Sequence, residues 1–179
     1  QNLKLLQSEI LTFAAKIQRH ELTEPESGEL NRYLHAVRMT LHSAKALQDI
    51  KHDFDEFESA DNVFLNDQYT HFRKRLIETY LKIDKLIEDN DKKDKTKGIL
   101  KTLKELKEDD KLFVSLTTQA INSKQIEDLN VSTAIMVNRA FVQSSRHILL
   151  ALRELLLSAE ETAQFDKIQD ISDALLENG

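Results

Sequence analysis

Leu65-Asn-Asp-Gln-Tyr-Thr-His-Phe-Arg-Lys-Arg-Leu-Ile-Glu-Thr-Tyr-Leu-Lys-Ile-Asp-Lys-Leu-Ile87 is the stretch that decides the fold class. Its residues Leu65, Tyr69, Phe72, Leu76, Tyr80, Ile83 and Ile87 follow one another in steps of four and three without a break. That spacing lays an apolar stripe along one face of an α-helix. The rest of the composition agrees. The chain has 179 residues with 3 Gly, 1 Pro and no Cys. A sheet protein of this length needs Gly, Asn-Gly or Pro at many reversals, and these are too few. The expectation is an all-α protein, long enough for a continuous core.

Working outward, Leu6, Ile10, Phe13 and Ile17 predict a first helix, and Leu22 to Gly28 a turn around Pro25. A second helix is expected from about Glu29 to Glu58. Its stripe is Leu30, Leu34, Val37, Leu41, Ala44, Leu47, Ile50, Phe54 and Phe57. Three successive three-residue steps around Ala44 argue against a long straight coiled coil. Ser59 to Asn62 turns the chain into the Leu65–Ile87 helix. The densely charged run Glu88 to Lys97 then reads as a solvated helix end or linker before Gly98. Short helices follow around Ile99–Leu106 and Leu112–Ala120. A long one spans about Ile126 to Leu157, with Ala134, Val137, Phe141, Ile148, Leu152 and Leu155 inward. Ser158-Ala-Glu-Glu161 has capping-box spacing and opens a last helix, striped by Phe165, Ile168, Ile171 and Leu175.

Charge and composition exclude several function classes. Lys and Arg number 25 against 31 Asp and Glu, net −6, which disfavours sequence-independent nucleic-acid binding. Three glycines leave no Gly-rich phosphate loop, and the absence of Cys removes disulfides and thiolate zinc sites. The longest run without a charged residue, Leu112 to Ser123, is shorter than the roughly 20 residues of a membrane span. No direct membrane insertion of this segment is therefore expected. With Gln1 in place of an initiator Met, and methionines only at Met39 and Met136, the chain is expected to belong to something longer.

Leu30-Asn-Arg-Tyr-Leu34 echoes Val137-Asn-Arg-Ala-Phe141, each in the longest helix of its half. The echo suggests a duplicated three-helix unit within one domain over residues 1–179, the first unit at 1–92 and the second at 98–179. Two such units side by side would make an elongated six-helix bundle.

The most chemically suggestive residues lie late in the second helix. Asp49, His52, Asp53 and Glu56 fall at i, i+3, i+4 and i+7 and so project from one face, beside the apolar stripe. Carboxylates and an imidazole at this spacing can hold a divalent transition ion. The same spacing also describes acidic residues flanking a buried stripe on a charge-rich helix. His42 and His35 lie seven and fourteen residues before Asp49, on a similar meridian but too far along the axis to bind the same ion. His20, His71 and His147 read as surface or boundary residues, and Asp170, Asp173 and Glu177 as a solvated face. No Glu-x-x-His, His-Glu-x-x-His or Gly-x-Ser-x-Gly occurs. A metal-dependent enzyme on a helical bundle would lack a second ligand set, so no enzyme is expected and no catalytic residue is assigned.

The run Leu30-Asn-Arg-Tyr-Leu-His-Ala-Val-Arg-Met-Thr-Leu-His-Ser-Ala-Lys-Ala-Leu-Gln-Asp-Ile-Lys-His-Asp53, with its Asp49-x-x-x-Asp53 motif, resembles the PhoU-like proteins, in the version attached to bacterial sodium/phosphate cotransporters. The resemblance implies a PhoU-like bundle in which Asp49 and Asp53 are candidate ligands for iron or zinc. The echo sets Leu156 opposite Asp49 and Glu160 opposite Asp53, so the second half lacks the first acidic position. The resemblance further implies a regulatory or assembly domain of a sodium-dependent phosphate transporter, at the cytoplasmic face of the inner membrane. Its partners would be the membrane-embedded portion of the same chain and a second copy. The alternative is a free-standing PhoU-like phosphate-signalling regulator or a helical adaptor.

Overall fold

A computed structural model describes residues 2–89 and 92–177, with side chains for 2–89 and 95–168. The described residues form α-helices and no strand: α1 Asn2–Ile17, α2 Glu24–Asp49, α3 Lys51–Ser59, α4 Val63–Glu88, α5 Lys92–Asn122, α6 Asp128–Leu156 and α7 Ala159–Glu177. The all-α expectation holds. Ile171 and Leu175 of the last predicted stripe, and the face of Asp170, Asp173 and Glu177, lie outside the described side chains.

Helix ends follow local chemistry. Thr23 donates its N–H (2.8 Å) and its hydroxyl (2.7 Å) to the Glu26 carboxylate, and this starts α2 at Glu24. Pro25 therefore stands in the first turn of the helix, where its missing N–H has no partner to lose. The turn expected at Pro25 ends before it. Asn62 caps α4 by accepting from Leu65 N–H at 3.1 Å, and its amide reaches the Gln125 carbonyl at 2.8 Å. Ser158 and Glu161 close the reciprocal box that their spacing predicts, at 2.7 and 3.2 Å. After α5, Gln125 N–H bonds to Ala120 O at 2.8 Å and Lys124 N–H to Ile121 O at 3.0 Å. This is the Schellman C-terminal motif, with Lys124 at φ 56° where glycine is usual.

Three boundaries differ from the sequence reading. The predicted second helix breaks at Ile50, whose φ and ψ are −103° and 6°, so α2 and α3 are separate helices. The two short helices expected after Gly98 are one, α5, which already begins at Lys92. Its inner line is Ile99, Thr102, Leu106, Phe113, Thr117 and Ala120, all buried. The polar run 107–111 looked like an interruption, yet it contains no breaker, and Asp109 and Asp110 in it meet buried polar partners. Gly98 sits inside α5 because a Cβ there would stand 2.3 Å from Leu86 Cδ2. It serves close helix approach.

α2 and α6 form the principal interface and run antiparallel. Along α2 the buried residues are Ala36 and Ser43, continued by Ile50 and by Phe57 of α3, one every seven residues. The larger apolar residues of the predicted stripe, Leu30, Leu34, Val37, Leu41 and Leu47, flank this line half-buried. Ser43 Oγ and Ser144 Oγ are 2.9 Å apart at the centre of the seam. That register sets Ala36 opposite Ala151, so small side chains meet small ones and the helices approach closely.

α6 packs against α2, α3, α4 and α5. It therefore buries far more than one stripe, including Ala140, Ser145, Leu149 and Glu154. Leu155, predicted inward, is 53 % exposed. The apolar core has two parts. One gathers Ile50, Phe57, Leu65, Phe72, Phe113, Val137 and Phe141; the other Ile83, Leu86, Ile99, Leu149, Leu152 and Phe165. Both draw on the two halves of the sequence, so neither expected three-helix unit has a core of its own among the described residues. In α1 the predicted stripe is not a buried one. Ala14 is buried and Ile10 and Ile17 are half-buried, whereas Leu6 and Phe13 are exposed, because α1 leans on α2 along a narrow strip.

Two stability effects follow. Ser43→Ala and Ser144→Ala should each cost about 1 kcal/mol by leaving the other hydroxyl unpaired in the seam, while the double variant should cost no more than either alone. A urea double-mutant cycle measures this, and additive losses would sink the pairing. Lys124→Gly should raise stability by about 1 kcal/mol by relieving the αL backbone, seen as a higher urea midpoint.

Candidate functional site

The predicted acidic face straddles the break at Ile50. Asp49 is the last residue of α2, while His52, Asp53 and Glu56 belong to α3. Asp49, His52 and Glu56 are exposed and Asp53 is half-buried. His52 Nδ1 lies 3.6 Å from Glu56 Oε1, across one turn in open solvent. Among the described residues, no group of three or more His, Asp or Glu side chains is placed to hold a metal ion. Glu56 also borders a shallow recess with Asp61 and Glu127 at the end of the bundle. The acidic face is thus a solvated edge beside Phe54 and Phe57, and Asp49 and Asp53 would need a donor from elsewhere to enclose an ion.

Sequence reasoning missed the buried charges. Glu154 of α6 is 6 % exposed and is met by two arginines and a histidine. Arg32 Nε stands 3.4 Å and His35 Nδ1 3.3 Å from its carboxylate, and Arg153 bonds it directly. Arg32 further donates to the carbonyls of Glu154, at 2.8 Å, and of Leu157. These are free carbonyls at the end of α6, where a cation also meets the negative end of the helix dipole. Arg153 continues to Asp166 of α7 and lies over the Phe165 ring at 5.7 Å. One carboxylate thereby ties α2, α6 and α7 together. Burial pushes the Glu154 carboxyl up, but the hydrogen bond and charge of Arg153, and then of His35, outweigh it and hold the group below the usual range.

A second polar cluster lies where one part of the core gives way to the other. Arg75 of α4 is 8 % exposed; its Nε is 3.0 Å from Asp109 Oδ2 and its Nη1 3.5 Å from Asn138 Oδ1. Asn138 donates in turn to Asp110. The cavity beside Arg75 measures about 20 Å³, room for a water and not for a metabolite.

The echoed Asn-Arg pairs are not equivalent one by one. Asn31 is exposed and Asn138 buried, while Arg32 reaches the end of α6 and Arg139 is exposed. The signal that could have found these groups is a charge on the inward side of a stripe. Arg75 stands between Phe72 and Leu76, and Glu154 between Leu152 and Leu157. His35 and His42, set aside as remote from Asp49, line the rim of the α2–α6 seam. His35 meets Glu154, and the His42 ring faces His147.

No family model, curated protein or solved structure matches the chain. No helix among the described residues is long and apolar enough to cross a membrane.

The Glu154 junction makes a test with a definite sign. The carboxyl is held low in the folded state, so its contribution is full above the unfolded carboxylate value of about 4.3. It is lost as pH falls through the lower folded value. Glu154→Gln should cost about 2 kcal/mol at pH 7, less than a dry pair because solvent reaches Arg32. The gap from wild type should narrow progressively as pH falls below about 4. Urea titrations across pH measure it; a gap of unchanged size from pH 7 to pH 3 would contradict the charge argument.

Proposed function

We propose that this chain is a PhoU-like regulatory or assembly domain that works by protein contact, attached to a sodium-dependent phosphate transporter at the cytoplasmic face of its membrane. The observation that carries the contact reading is α1. Its Leu3, Leu5, Leu6, Leu11 and Phe13 are all exposed, five large apolar side chains on one helix. Large apolar side chains left exposed in such number are what docking to another protein can cover. The link to phosphate transport rests on the resemblance of Leu30 to Asp53.

The duplicated three-helix unit is supported by the helix ends. The offset that carries Leu30 onto Val137 also carries Asp49, the last residue of α2, onto Leu156, the last of α6. It brings Ile17, at the end of α1, within two residues of the end of α5. The two helices that bear the echo pack antiparallel, as equivalent helices do about a local two-fold axis. Such an axis would explain why both halves feed each part of the core.

The mechanism is steric and conformational: α1 and its neighbours dock on the transporter portion or a second copy, and docking biases transport. Deleting residues 1–179 from the full-length protein should alter sodium-dependent phosphate uptake or its response to phosphate supply. Uptake and regulation unchanged in cells, with normal transporter abundance, would overturn the proposal. An upstream reading frame without hydrophobic spans would point to the free-standing regulator.

A further inference from the structure

The rim of the α2–α6 seam carries a ladder of polar positions at heptad spacing. On α2 these are His35, His42 and Asp49. The antiparallel register sets them against Glu154, His147 and Ala140 of α6. The first rung joins His35 Nδ1 to the Glu154 carboxylate at 3.3 Å. The last rung offers no donor on the α6 side. The middle rung is different: two imidazoles face each other from two helices, and neither has a hydrogen bond or ion pair among the described residues.

We propose that His42 and His147 form a binding site for a divalent transition ion of the zinc, nickel or copper kind, held between α2 and α6. An ion about 2.1 Å from one nitrogen of each ring, with a near-tetrahedral angle, sets the two ring centroids roughly 5–6 Å apart. The centroids of His42 and His147 are 5.6 Å apart, with the planes tilted by 44°. His147 Nδ1 is buried and has no partner, so no carbonyl or carboxylate of the fold competes for it. His42 is exposed, which gives an ion a route to the pair and leaves its remaining coordination positions to water.

Burial pulls His147 below the ordinary histidine value. A neutral imidazole is the form that ligates. Imidazole donors select zinc, nickel and copper over magnesium and calcium, which prefer oxygen. An ion here joins the two helices of the principal interface two turns from the Arg32–Glu154 junction. It clips the seam on which the fold is built, and this role is independent of the transporter reading.

The test is zinc, nickel and magnesium titration of the intact chain at pH 7.5, followed by calorimetry and thermal unfolding. Zinc and nickel should bind and, at a hundredfold excess over Kd, raise Tm by about 5 °C or more, with magnesium silent. His42→Gln and His147→Gln should each weaken binding at least tenfold, while Asp49→Asn and His52→Gln should not. His42 is exposed, so its variant folds and remains decisive if His147→Gln does not. Bound copper should show a two-nitrogen electron-spin signature that His42→Gln reduces. Unchanged affinity in His42→Gln, loss confined to Asp49→Asn or His52→Gln, or an equal response to magnesium would each overturn the proposal.

Discussion

The contact between Ser43 and Ser144 is the constraint on which the rest of the fold depends. Two hydroxyls 2.9 Å apart, with Ala36 and Ala151 one heptad away, let α2 and α6 approach more closely than leucines would allow. Close approach then fixes everything at the margins of the seam. It puts Leu34, Val37, Leu41 and Leu47 on the flanks and not at the centre. It brings Arg32 to the open end of α6, and it sets the histidines of α2 along the rim. Packing near crystal density makes such a register discrete, because a shift by one residue would place a larger side chain where only a hydroxyl fits.

With α2 on one side, α6 must still bury its other faces, and α4 and α5 supply the cover. The two parts of the core meet near Arg75, Asp109 and Asn138. A buried arginine is tolerable there only because carboxylate and amide partners come from two other helices. Such a cluster specifies how α4, α5 and α6 sit together, since any other register would strand a charge. The Glu154 junction does the same for α2, α6 and α7. Apolar burial drives assembly, and these polar contacts select which assembly it is.

The described residues present mainly the outer surfaces of packed helices. The large apolar residues of α1 and the acidic edge around Asp49 and Glu56 are among them. The histidine rung at the seam adds a place where a solvent-borne ion can reach the main interface. Interaction outside and stiffness inside would then be controlled by different side chains.

Much of this was legible in the sequence. The Leu65–Ile87 period and the shortage of Gly and Pro determined an all-α chain, because a 3.6-residue repeat can be buried only as a helix. The Ser158–Glu161 box and the turn at Ser59–Asn62 were readable because their chemistry is local. The break at Ile50 and the continuity of α5 were not, since both depend on what the segments pack against. Asp109 and Asp110 read as a gap until Arg75 and Asn138 arrive from other helices. The Asp49–Glu56 pattern was equally visible, but whether it encloses an ion is a matter of donors from elsewhere, and spacing along one helix carries no such information. The sequence by itself determined which residues could turn inward. Only the tertiary structure decided which did, because the centre of a helix seam goes to the smallest side chains that match across it, and that match involves residues about a hundred positions apart.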